Sequence, residues 1–117
     1  MKFKLKTKDG IKEFEGELTL VTYDIYFTDF NSDLLIDATR TIQVTGMYSR
    51  AYLLRVMYAM IRTVDPSFID FISFLNILED DVIQFFKDLD TELTDLITNK
   101  ITARVENEVI NNDKTKN

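Results

Sequence analysis

Nine carboxylates fall between residues 65 and 95: Asp65, Asp70, Glu79, Asp80, Asp81, Asp88, Asp90, Glu92 and Asp95. A single base, Lys87, offsets them there. Clustered acids can hold a hard cation or share protons in acid–base catalysis. The run Asp88-Leu89-Asp90-Thr91-Glu92 superficially resembles a calcium loop. It lacks the glycine such a loop needs for its sharp turn, and it sits in a helical pattern, so no metal site is expected. Acid–base work would need a cleft that raises one carboxyl pKa, and nothing in the pattern points to one. The simpler reading is a solvated helix face that keeps an apolar chain soluble.

Other chemistry is scarce. The chain has no histidine and no cysteine. That removes the side chain that most often moves protons near neutral pH, and it removes disulfides and thiolate metal sites. Three glycines, Gly10, Gly16 and Gly46, build no phosphate-binding loop, and no nucleophile elbow or zinc signature occurs. No catalytic residue, cofactor or metal is therefore expected, and the chain reads as a binding protein rather than an enzyme. The formal net charge of -6 argues against nucleic-acid binding, which runs on excess Lys and Arg. The N-terminus alternates instead of carrying a signal-like apolar core, and no window reaches membrane-span length. A soluble, cytosolic protein with no membrane partner is expected.

The residues most suited to a function are apolar. In Ser67 to Leu78 the polar residues fall at 67, 70, 73 and 76. A helix turns every 3.6 residues, so this row drifts round the cylinder and marks no single solvent face. Such a helix is buried on most sides, either by its own core or by another chain. A second aromatic group surrounds the next helix upstream. Tyr48 and Tyr52 share a face there, with Met47, Met57 and Met60 nearby. Buried Met and Tyr are common, so a core stripe is the simpler reading, although Met also repacks well against varied partners. By helix-in-groove logic the candidate protein-binding residues are Tyr48, Tyr52, Phe68, Phe71 and Phe74.

Several elements must position these side chains. Phe3, Leu5 and Thr7 alternate with Lys2, Lys4, Lys6 and Lys8, Asp9-Gly10 offers a tight turn, and Ile11 to Glu17 alternate again. A β-hairpin follows, with Lys facing Glu across the strands and the lysines on the solvent side of an edge strand. Two strands bury too little alone. A helix from about Thr19 to Phe30, with Leu20, Tyr23, Phe27 and Phe30 on one face, is the candidate cover. Asn31-Ser32-Asp33 reads as a break and N-cap before a short helix through Leu34, Leu35 and Ala38. Residues 41–45 alternate like a strand and end at Gly46. A long buried helix runs from Tyr48 or Ser49 to about Thr63 and stops at Asp65-Pro66. Ser67 is read as the next N-cap, with Asp70 completing a capping box, and that helix reaches about Ile77. Glu79-Asp80-Asp81 opens an acidic helix lined by Val82, Phe85, Phe86, Leu89, Leu93, Leu96 and Ile97. The expected fold is α+β, mainly α: an N-terminal β-hairpin (residues 1–18) packed on a small bundle of about four to five helices (residues 19–110). These form one domain, and residues 111–117 form a disordered tail.

This order of signals resembles the tail assembly chaperones of long-tailed bacteriophages of Gram-positive hosts, notably the lactococcal ones. The resemblance spans about residues 10 to 100. It is carried by Leu20-Val21-Thr22-Tyr23-Asp24-Ile25-Tyr26-Phe27, then Asp33-Leu34-Leu35, then the long helix ending in Thr63-Val64-Asp65-Pro66-Ser67-Phe68. Relatives often carry a Trp in the long helix or the following segment. This chain has none, and Tyr58 or Phe71 is the candidate in its place. The resemblance implies a late, non-catalytic protein of the host bacterial cytoplasm, absent from the mature virion. It implies self-association and binding of helices of the tape measure protein, with the major tail protein as a further partner. A structural virion component, such as a tail-completion or connector subunit, and an adaptor for a host protein are the alternatives.

Overall fold

The computed structural model describes residues 1–46, 48–80 and 92–103. Strand β1 (Lys2–Thr7) pairs antiparallel with β2 (Gly10–Glu15). Five helices follow: α1 (Leu20–Phe30), α2 (Leu34–Thr45), α3 (Arg50–Val64), α4 (Phe71–Ile77) and α5, which covers residues 92–103. The fold is α+β and mainly α, as the sequence predicts.

The hairpin register places Lys2 opposite Glu15 and Lys4 opposite Glu13, so the expected cross-strand charge pairing is present on the outer face. Phe3, Leu5 and Thr7 point inward and are buried. The turn sits one residue earlier than Asp9-Gly10 suggests. Lys8 and Asp9 form it, and Gly10 supplies the positive φ of 108° just after. Thr7 Oγ1 closes the turn by donating to the Gly10 carbonyl at 2.6 Å. The other edge of β1 is not free. Lys8 N–H donates to the Ile77 carbonyl and Glu79 N–H to the Lys6 carbonyl, so the segment leaving α4 covers it. The open edge is therefore β2, not the lysine strand.

Helix α3 organises the interior. Tyr52, Leu53 and all six residues from Val56 to Ile61 are buried. Six consecutive residues span more than a full turn, so this helix is covered on every side over that stretch. Ser49 caps its start by accepting from Tyr52 N–H, and Asp65 before Pro66 ends it. The hairpin packs chiefly on α3 and α4. Phe14 meets the rings of Phe68 and Phe74, and Gly16 lies against Met60.

Helix α1 begins where predicted, with Thr19 as its N-cap, but it is rotated from the predicted face. Leu20 and Phe27 are 83% and 57% exposed, whereas Thr22 and Tyr26 are fully buried. The cause is partly polar. The Thr22 hydroxyl lies 2.7 Å from both the Glu17 carbonyl and the Thr63 hydroxyl, and Tyr26 donates to Asp37 at 2.8 Å. The first ties Thr22 to α3 and the second ties Tyr26 to α2, and Leu20 and Phe27 face outward. Helix α2 is longer than the three apolar residues suggest. The strand-like run at 41–45 is helical and ends at Gly46, whose φ is 75°.

Asp70, not Ser67, caps α4, accepting from Ser73 N–H at 2.8 Å. Ser67 instead bonds Asp65 in the preceding turn. The apolar segment is thus a seven-residue helix with an extended lead-in, and Ile72 is 66% exposed. Its predicted all-round burial belongs to α3. Of the acidic helix, Leu93 and Ile97 are buried in α5. Val82, Phe85, Phe86, Leu89, the calcium-like run up to Thr91 and the tail at 111–117 lie outside the described residues.

Gly16 provides a direct test of this packing. A Cβ there would stand 2.7 Å from the Phe3 ring and 2.9 Å from the Met60 Cβ. Gly16→Ala is expected to destabilise the chain by about 1–3 kcal/mol through overpacking. Urea unfolding followed by circular dichroism measures this, and an unchanged midpoint would contradict the close approach.

Candidate docking surface

All five predicted contact residues enter one aromatic network. Tyr48 meets Tyr52 at 5.7 Å between ring centroids, and Tyr52 meets Tyr26 at 6.2 Å. Tyr26 continues to Phe30 at 5.1 Å, and Phe30 to Phe71 at 4.9 Å. Tyr58 then joins Phe71, Phe74 and Phe68, and Phe68 reaches Phe14 in the hairpin. Most of these pairs are edge-to-face, the arrangement the ring quadrupole favours. The network is thus continuous from the start of α3 to the hairpin.

Its members differ in exposure. Tyr48, Tyr52 and Phe74 are buried, and their rings are packed inside the chain itself. Phe68 and Phe71 are only half-buried. The tyrosines have polar ends that are satisfied internally. Tyr52 donates to the Leu34 carbonyl at 2.9 Å, and Tyr58 to the Ile69 carbonyl at 2.9 Å. Burial, reinforced by the charge of Asp37, keeps the Tyr26 hydroxyl protonated well above its ordinary range. Burial likewise raises Tyr52, with neighbouring tyrosines adding to the effect.

At the outer end of the network lies an open pocket of about 330 Å³, lined by Asp29, Tyr58, Arg62, Phe68, Asp70 and Phe71. Arg62 Nη1 donates to Asp29 Oδ2 at 2.7 Å, and its guanidinium stands 6.0 Å from the centre of the Tyr58 ring. That hydrogen bond pushes the already high Arg62 pKa further up. Arg62 Nε is buried without a partner among the described residues. Ile69 and Ile72 flank the pocket in sequence and are 40% and 66% exposed. The site therefore combines three aromatic side chains, Tyr58, Phe68 and Phe71, with the Arg62–Asp29 ion pair and the Asp70 carboxylate. Among the described residues no group of three or more acids is placed to hold a metal, and no helix is long and apolar enough to cross a membrane.

Sequence reasoning found Phe68 and Phe71 but not Arg62 or Asp29. They are 33 positions apart, and each alone looks like an ordinary helix-end charge. Their pairing depends on how α1 lies against α3.

Comparison with known proteins gives no match: no family model, no curated protein and no solved structure is significantly similar to the chain.

The tyrosine hydroxyls carry a pH prediction. Both Tyr26 and Tyr52 have pKa values raised above the ordinary 10.0 by folding. A raised pKa means that folding favours the protonated form, so the stability it contributes is complete below pH 10 and is lost as pH climbs beyond it. Tyr52→Phe removes the buried hydrogen bond to the Leu34 carbonyl and is expected to cost about 1 kcal/mol at neutral pH. It should also make stability fall less steeply with pH above 10, read as the urea midpoint across a pH series. A slope equal to that of the unsubstituted chain would exclude Tyr52 as a contributor.

Proposed function

We propose that the chain is a non-catalytic tail assembly chaperone of a long-tailed bacteriophage. In this reading it acts in the host bacterial cytoplasm, self-associates, and holds apolar helices of the tape measure protein in soluble form until the tail is built. The observation that supports it is the surface at residues 68–72. Phe68 and Phe71 are half-open on an aromatic pocket, and Ile69 and Ile72 stand exposed beside them. An amphipathic helix lays such side chains into a groove at helical spacing. Covering Ile69 and Ile72 would add on the order of 2 kcal/mol to binding, because each is only partly exposed to begin with. The acidic balance of the chain keeps a protein with such a surface soluble. The resemblance in the order of elements supplies the identity of the partner.

Co-expression tests the reading. The tape measure protein encoded with this chain should be recovered in the soluble fraction only when the chain is present. Ile72→Glu should weaken that effect by about tenfold in apparent affinity while leaving the melting temperature nearly unchanged, because Ile72 packs little within the chain. An equal soluble yield with and without the chain would refute the chaperone reading. Recovery of the chain at stoichiometric level from purified particles would favour a structural virion component instead.

A further inference from the structure

We infer that the pocket at residues 68–72 takes a basic side chain, an arginine or a lysine, carried within the apolar face of the docking helix. The inference rests on the reading that a helix lies across this edge, and it adds what that helix carries there. The carbon stem of the basic residue lies along Phe68 and Phe71, and its cationic head reaches the Asp70 carboxylate.

The charge of the lining is unbalanced. Its charged members are Asp29, Asp70 and Arg62. Arg62 is already matched. Its Nη1 donates to Asp29 Oδ2 at 2.7 Å, and both side chains are mostly withdrawn from water, at 29% and 22% exposure. Asp70 is left over. It is exposed and has no ion-pair partner among the described residues. Its Oδ1 accepts the Ser73 N–H at 2.8 Å, and that backbone bond holds the carboxyl below its ordinary range, so it is ionised at neutral pH. The site therefore offers one unmatched carboxylate beside two half-buried rings, in a chain of formal net charge -6. An acidic side chain would be repelled there. A purely apolar one would take water from Asp70 and give it no partner in return.

The pocket already holds one cation by the same means. The Arg62 guanidinium stands 6.0 Å from the centre of the Tyr58 ring while it bonds Asp29, so an aromatic ring and a carboxylate share one guanidinium. Phe68, Phe71 and Asp70 repeat that combination of groups in the same lining, and the described residues supply no cation to it. The volume of about 330 Å³ is at the lower end of ligand-sized cavities, which suits one long side chain and the turn that bears it. The rim decides the source of the cation. Ile69 and Ile72 flank the pocket in sequence and are 40% and 66% exposed. A free amine or a metal ion would leave both in water. A helix with apolar residues one turn to either side of its basic residue covers them while the head group reaches the carboxylate.

Two designed helical peptides of identical composition test this. Each has about 18 residues, with Leu on one face and Ser and Gln on the other. In the first, a single Arg stands at the centre of the Leu face. In the second, that Arg has exchanged places with a Ser of the polar face, so length, charge and the break in the Leu face are all unchanged. Titration calorimetry with the full chain should give the first peptide a dissociation constant about fivefold lower than the second. Asp70→Asn removes the charge but keeps a capping side chain at the start of α4, and it should abolish the difference by weakening the first peptide alone. Circular dichroism would verify folding, and Asp70→Ser, which also caps, would replace an Asn variant that does not fold. Equal binding of the two peptides, binding of neither, or a difference that survives loss of the Asp70 charge would each overturn the inference. Its failure leaves the chaperone reading standing, because that reading is decided by the soluble yield of the tape measure protein on co-expression.

Discussion

Six consecutive side chains of α3, from Val56 to Ile61, are withdrawn from water, and the rest of the molecule is arranged to cover them. A helix can be buried all round only if other elements approach from every direction. Here α1 and α2 lie along part of it, the hairpin closes on it where Gly16 meets Met60, and Tyr58 is enclosed by Phe68, Phe71 and Phe74. In a chain of 117 residues this demand consumes most of the available cover. The outer faces of the covering helices are left in water with apolar side chains still on them.

Polar groups help to decide which faces those are. Thr22 and the hydroxyls of Tyr26 and Tyr52 all reach toward the interior, and each finds a partner there. Leaving such a group buried without a partner costs about as much as exposing a Leu or Phe, so hydrogen bonding together with apolar content sets the rotation of α1. Leu20 and Phe27 are turned outward as a consequence. The same logic holds the lead-in to α4, where Tyr58 donates to the Ile69 carbonyl and keeps Phe68 and Ile69 in an extended path over the pocket.

Two apolar surfaces follow. The edge at residues 68–72 is concave and aromatic, with an ion pair beside it. The outer faces of α1 and α2 expose Leu20, Phe27, Ile36 and Val44. Histidine and cysteine are lacking throughout the chain.

Much of the fold was legible in the sequence. The hairpin, the cap before α2 at Asp33, and the approximate extents of α1 and α3 follow from local rules of turn chemistry, capping and periodicity, which act over a few residues. Phe68, Phe71 and Phe74 were visible alike, as members of a segment too apolar for an ordinary surface helix, but not that Phe74 is the buried one. Three things were not legible. The helix buried all round is α3 and not α4, the cap of α4 is Asp70 and not Ser67, and Arg62 joins Asp29 at the pocket. Each depends on contacts between residues far apart in the chain. Periodicity states which side chains want cover, but not which of them obtain it. That is decided when a limited set of elements packs round one helix and the buried hydroxyls take their partners first.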